Sequence, residues 1–443
     1  MIRSHLRRTR PRPHPLDERS RGKRALRLES LEPRTLLAVQ PVNLADPSTY
    51  GLSGSFASSV PSISADGQLV AFVSNADDLV VNDGNGKPDA FVYDRGTGVV
   101  TLVSVGVDGD AAGIGGYTSP LAPVISPDGR YVAFENNEGN VLTGIGGDQL
   151  YLRDLTTATT SLLSVAPDGR TAGNGGSREA VFSADGRHVV FLSDAGNLVG
   201  GIDFTGRFDR PNVFKRDLVQ KTTLLVSLSL DGKSGGDFDS GPAAVSADGR
   251  FVVFQSSATN LVPQDNQDIE QIYVRDTVAG TTTLVSVDVT GQAGGGGHNT
   301  LNASPQVISA DGRYVVFNSN ASNLVSPPIG GRNIFLRDLR NGSTLLVSAS
   351  AVDGTSVGGG GTELISPDGR WVAFATATQA TSIPTSGKTN VYVLDLTTET
   401  LSLASINATG TAGGNDGTGL SAFYDFPGGL SFSPDGRSIA FRG

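Results

Sequence analysis

Of 443 residues none is cysteine, one is Met and one is Trp. The missing thiols exclude disulfides, thiolate metal sites and a Cys nucleophile. There are four His, and only His188 and His298 lie beyond the N-terminal 35 residues. A His-based catalytic constellation is therefore not expected, because such a site needs several groups brought together. No run of about 18 apolar residues occurs, so an ordinary membrane-spanning helix is not expected. No stretch reads as an amphipathic helix either. Basic charge is scarce outside the N-terminus. Residues 1–35 hold 11 of the 34 Lys and Arg against 4 of the 44 Asp and Glu, which leaves 23 basic and 40 acidic groups for the rest. Phosphate recognition needs clustered cations, so an acidic body argues against nucleic acid as partner.

What the chain has in quantity is glycine, 58 residues, much of it in a recurring turn. Ser126-Pro127-Asp128-Gly129-Arg130-Tyr131-Val132-Ala133-Phe134 is the clearest copy. Its Asp-Gly pair recurs from Asp66, Asp128, Asp185, Asp248, Asp311, Asp368 and Asp435, at intervals of 57 to 67 residues. Ser and Asp side chains bond back to nearby backbone N–H groups, and Gly accepts positive φ without steric cost. The residues that follow are aromatic or β-branched and suit a strand. Each unit then reads as four short strands. In the second unit these are Pro123 to Ile125, Tyr131 to Phe134, Leu150 to Asp154 and Ser161 to Val165, followed by a Gly-rich loop. Leu102–Val105 and Leu284–Val287 are the matching fourth strands elsewhere. Four antiparallel strands repeated about seven times predict an all-β chain, a β-propeller with six complete blades and a partial seventh.

The Ser-Pro-Asp-Gly-Arg-x-Val-x-Phe pattern, with a later Ile-Tyr-Val-x-Asp-like strand, resembles the TolB-like (WD40-like) propeller repeat over roughly residues 55–441. The α/β domain that precedes the TolB propeller has no counterpart here, so the resemblance implies the fold and not the Tol-system role. Leu31-Glu32-Pro33-Arg34-Thr35-Leu36-Leu37-Ala38 resembles the LEPR-XLL segment of exported planctomycete-type proteins. That likeness implies export to the periplasm, cell surface or exterior, with the leader removed near Ala38. Residues 1–37 are expected to be a basic, disordered leader and 38–443 the propeller. Ala38 to Leu44 could supply an outer strand to the incomplete last blade, with residues 38–48 paired there. The abrupt stop on a core strand leaves two expectations open, a short seventh blade or a fragment of a longer protein.

Strand order puts the Asp-Gly turns on one face and the long connections on the other, and functional residues favour long loops on a rigid scaffold. Asp83, Asn85 and Asp89 place oxygen ligands at alternating positions, as a calcium loop does. Lys87 stands where such loops usually carry an acid. Phe423, Tyr424 and Phe426 lie in the longest connection, Asn407–Gly429, where aromatics could stack on a sugar or dock a protein. His188 takes the place of Tyr131 and Phe251 and reads as structural, and His298 as a solvated loop residue. Gly232-Lys233-Ser234-Gly235-Gly236 and Gly354-Thr355-Ser356-Val357-Gly358 match a nucleophile-elbow pattern. They fall in inter-blade loops, not between a strand and a helix. The Ser-x-Asp-x-Gly-x-Thr-Trp turn of sialidases is not met, since Asp and Gly are adjacent here.

The innermost strands of four units read Pro61-Ser62-Ile63, Pro123-Val124-Ile125, Ala243-Ala244-Val245 and Gln306-Val307-Ile308. Being apolar or small, they favour a non-enzymatic module that binds protein or polysaccharide. The alternative is a degenerate glycan-active hydrolase or lyase with its site at the channel mouth. Arg130, Arg187, Arg250, Arg313 and Arg370 begin second strands, and Asp154, Asp217, Asp276, Asp338 and Asp395 end the third strands of the same blades. Antiparallel pairing predicts an ion pair in each, and none in the first blade, where Gln68 faces Asp94.

Overall fold

The computed structural model describes residues 58–441, except 116–121, 205–209, 265, 267–268, 302–303, 360–361 and 415–429. Among these residues the chain forms six four-stranded antiparallel sheets and a two-stranded seventh, Leu430–Phe432 with Ile439–Phe441. The architecture is a β-propeller. First strands of successive blades approach one another, as Val124–Ile125 does Ser58–Ile63 and Ser177–Phe182, so they line the axis. Fourth strands form the outer edge. The expected outer strand from residues 38–48 lies outside the described residues, as does the LEPR-XLL segment.

Blade 4 shows how the repeat folds. Ser246 Oγ donates to Asp248 Oδ1 (2.7 Å), which also accepts the Arg250 N–H (3.0 Å). The Phe251 N–H returns to Ser246 Oγ (2.9 Å), and Gly249 takes φ +72°. The side chains thus build the turn, and the second strand leaves it in fixed register. Phe251–Ser256 pairs with Gln271–Asp276 from Phe251 opposite Asp276 to Ser256 opposite Gln271. That register puts Phe254 directly across from Tyr273, with the rings stacked at 5.7 Å. Every complete blade has this pair at 5.6–5.9 Å. Second and third strands are buried almost throughout because blades cover both faces, which explains their unbroken apolar runs. Outer strands such as Thr281–Leu284 alternate in exposure.

Neighbouring blades meet at the turns. Ala65 N donates to Pro127 O, Asp185 N to Ala247 O, Ala247 N to Ala310 O and Ala310 N to Pro367 O (2.9–3.0 Å). Pro127 and Pro367 have no N–H with which to continue the series. Glycine is required at the turn for two reasons. At Gly312 φ is +72°, and a Cβ would overlap the Phe251 ring of the preceding blade.

The five expected ion pairs form, with closest approaches of 2.6–2.8 Å. In four of them the guanidinium also lies over the next aromatic ring at 4.5–4.7 Å. The first blade lacks the pair. There Arg95 bonds Gly67 O instead (2.9 Å). His188 sits in the aromatic place of blade 3, buried between Asp185 and Asp217. Burial, then nearby Lys215, lowers its pKa.

Two expectations need correction. Fourth strands end earlier than the apolar pattern implies, at Leu102, Leu162 and Leu284. The following Ser turns inward to bond the third strand. In blade 5, Gln306-Val307-Ile308 is not a strand. Pro305–Val307 forms a 3-10 turn capped by Ser304, whose hydroxyl accepts the Gln306 N–H (3.2 Å). Proline fixes φ near the helical value and starts this turn.

Candidate functional site

Two regions of the long-connection side and the axis carry chemistry. The first is the Gly-rich connection after each fourth strand. Val107, Leu230, Val289 and Val352 stand in these connections, each more than half exposed. The connections are held rigidly. Val107, Leu230 and Val289 donate their N–H to the carbonyls of Asn140, Asn260 and Asn323 in the next blade (2.8–2.9 Å). The Asn140 and Asn260 side-chain amides donate back to Ala112 O and Gly235 O. The result is an interrupted ring of aliphatic side chains on one face.

The second region is the axis. Ser177–Phe182, the first strand of blade 3, brings Arg178 and Glu179 there, which corrects the impression of an apolar inner wall. A bulge in its pairing gives Glu179 a φ of +57°, a costly conformation for a residue other than glycine. Glu179 is reached by water yet walled in by protein, and this desolvation raises its pKa against the pull of Arg178. Its N–H donates to Glu135 Oε1 of blade 2 (3.2 Å), while Arg178 pairs with Asp194 (3.1 Å). On the same axis Gln306 clasps one residue of blade 7. Its Nε2 donates to Phe432 O and its Oε1 accepts Phe432 N–H, both at 2.8 Å. Neither Glu179 nor Gln306 was legible as functional. Ser177-Arg178-Glu179-Ala180 lacks the apolar alternation of a strand, so nothing in its pattern places it on the axis.

Ser234 Oγ donates to Ser229 Oγ (3.2 Å), and Ser356 Oγ bonds the Asn333 amide oxygen. Neither has an imidazole partner, so neither matches an activated nucleophile. His298 is exposed. Phe423, Tyr424 and Phe426 lie outside the described residues.

Asp83, Asn85 and Asp89 do come together. Asn85 Nδ2 donates to Asp89 Oδ2 (2.8 Å) and to Ala111 O (3.0 Å). Asp89 Oδ1 accepts from Ser104 Oγ (2.6 Å) and from Gly113 N (2.8 Å). Asp83 is buried beside them. Lys87 reaches away to Glu138 of blade 2 (2.8 Å) and does not neutralise the pair. Among the described residues no three His, Asp or Glu side chains form a ready-made metal shell.

No family model matches the chain, and no curated protein matches it. Solved structures do. An oligogalacturonate lyase in complex with manganese is 16% identical over 86% of this chain and 84% of its own, with a TM-score of 0.47. The β-propeller domain of the Trilobed protease from Pyrococcus furiosus is 15% identical over 79% and 83%, with a TM-score of 0.43. TolB from Acinetobacter baumannii is 16% identical over 75% of this chain and 62% of its own, with a TM-score of 0.34. At these identities the likeness extends to the propeller architecture and no further.

Proposed function

We propose that this protein is an exported, cell-surface β-propeller that acts as a non-catalytic binding module for a protein or a polysaccharide. The observation that carries the reading is the interrupted ring of Val107, Leu230, Val289 and Val352, exposed in the connections of four of the six complete blades, with inter-blade hydrogen bonds from Val107, Leu230 and Val289 themselves and from Ala351 beside Val352. Rigid presentation lowers the entropy lost on docking. Aliphatic side chains suit a protein surface, whereas a sugar ring prefers aromatic faces. Phe423, Tyr424 and Phe426 would add such faces. The acidic body favours a partner that is neutral or basic.

The experiment compares wild-type protein with a Val107→Glu, Leu230→Glu, Val289→Glu, Val352→Glu variant. Both are presented to purified cell-surface polysaccharides and, by crosslinking, to cell-surface proteins. Binding that the variant loses supports the module. Equal binding by both removes the ring from the account.

A second reading, a glycan-active enzyme, draws on Glu179. Its side chain leaves a strained backbone position at the axis and desolvation raises its pKa, a direction that suits a proton donor in glycan cleavage. Cleavage of a polysaccharide by wild-type protein, abolished in Glu179→Gln, would replace the first reading with this one.

A further inference from the structure

The first blade departs from the other five at one buried position. Where the third strand begins, blades 2 to 6 carry an amide: Gln149, Asn212, Gln271, Asn333 and Asn390. Blade 1 carries Asp89, with no measurable exposure. Around it the connections are rearranged. Asp89 takes the Gly113 N–H, whereas the corresponding N–H groups of Asn174, Asp237 and Gly296 go to an Asn of the next blade. A second carboxylate, Asp83, is 4% exposed, and neither of its oxygens has a hydrogen-bond partner within bonding geometry. The charges that face it are the carboxylates of Asp89, Asp77 and Asp78. In the connection of equal length in blade 4 the buried group is Asn266, whose amide donates to Ser257 O and Ala258 O. A buried carboxylate that meets no more than the weak pull of one backbone N–H, here that of Asn85, is unfavourable unless it is protonated or meets a cation.

We propose that the blade 1 connection from Asp83 to Asp89 binds one calcium ion between the carboxylates of these two residues. Asp89 Oδ2 has accepted one hydrogen bond and retains a lone pair, and Asp83 retains all of its own. Calcium tolerates an irregular shell of six to eight oxygens, so two carboxylates completed by backbone carbonyls and water can hold it, whereas magnesium demands near-ideal octahedral geometry at shorter distances. Asn85 is a positioning residue. Its Oδ1 accepts the Lys87 N–H (2.7 Å) and its Nδ2 orients Asp89. Bound calcium would fix this connection against blade 2, to which Lys87–Glu138 already ties it. The proposal is independent of the binding-module reading.

The test uses the full chain stripped with chelator at pH 7.5, with calcium chloride and magnesium chloride as probes. Thermal unfolding should shift upward by about 3 °C when calcium is a hundredfold above its Kd, with a smaller shift from magnesium. Titration calorimetry should give one calcium per chain. Asp89→Asn installs the amide character of the other blades, so it should fold and lose the calcium response. Asp83→Asn should lose it too. Absence of calcium binding by both methods at millimolar concentration would overturn the proposal. So would a response that persists in the Asp83→Asn, Asp89→Asn double variant.

Discussion

Ser104 Oγ donates to Asp89 Oδ1 at 2.6 Å and accepts the Ala90 N–H at 2.9 Å. In the other complete blades Ser164, Ser227, Ser286, Ser348 and Ser405 make the same two bonds, to an amide oxygen (2.6–3.1 Å) and to the next backbone N–H. One hydroxyl thereby ties the end of each outer strand to the start of the third. It also fixes the point at which the Gly-rich connection departs toward the exposed face.

Removing that hydroxyl in blade 4 should be costly. Ser286→Ala leaves the Ile272 N–H and Gln271 Oε1 without this partner in a water-free site. A loss of about 1–3 kcal/mol is expected from denaturant unfolding. A loss below about 0.5 kcal/mol would show that the tie is dispensable.

The turn glycines should separate into two classes. Gly232 has φ +70° with open space around its Cβ position, so Gly232→Ala should cost about 1–2 kcal/mol of backbone strain. Gly312→Ala meets the Phe251 ring as well and should cost about 1–3 kcal/mol more. Equal losses in chemical denaturation would mean that the blades yield at this contact.

Acid should weaken the blades through their Arg–Asp pairs. The hydrogen bond from Arg250 is the main reason that Asp276 is held down at about 2, against a partial opposing effect of burial. A depressed carboxylate stabilises the fold above its unfolded value near 3.8, and that contribution fades as pH falls toward 2. In Arg250→Gln the Asp276 titration should move back toward the ordinary range, read by NMR, with a flatter acid limb of stability. An unmoved titration would assign the depression to the backbone N–H groups of Val278 and Ala279.

Asp83 should act with the opposite sign in calcium-free protein. Burial, then the Asp89 and Asp77 carboxylates, push it to about 7, with a small opposing pull from the Asn85 backbone N–H. A raised carboxylate is worth most below its unfolded value of 3.8, and the benefit is lost as pH climbs to about 7. Asp83→Asn should abolish this decline, measured as midpoint stability across pH 4 to 8. A variant that declines as the wild type does would place the titrating group elsewhere.

Turn chemistry made the blades legible. Ser-x-Asp-Gly encodes the hairpin by its own side chains, and antiparallel register then puts Arg250 beside Asp276 without further information. Pairings that depend on the third dimension were hidden. Leu284-Val285-Ser286 has the composition of a strand, yet Ser286 leaves the ladder because a buried amide awaits it. Pro305 and Ser304 override the strand-like Val307-Ile308. The Asp83 and Asp89 loop could be named from oxygen spacing, but the burial of Asp83 follows from how the long connection folds back, which spacing does not encode. Arg178 and Glu179 escaped notice because a bulged inner strand starts among polar residues.

Pro127 and Pro367 give the wheel two joints. Hydrogen bonds run without interruption from blade 3 through blade 6 and join blade 1 to blade 2, but none links blades 2 and 3, or 6 and 7, at the turns among the described residues. Apolar packing still closes both junctions, Ala133 and Leu150 against Phe182 and Val189 at the first and Ala373 and Val391 against Leu430 and Phe432 at the second, so each joint is held by side chains where its neighbours add a backbone bond. The Asp83–Asp89 connection sits beside the blade 1–blade 2 junction, which keeps its turn hydrogen bond and adds the Lys87–Glu138 pair, so an occupant there would brace a seam that is already doubly tied.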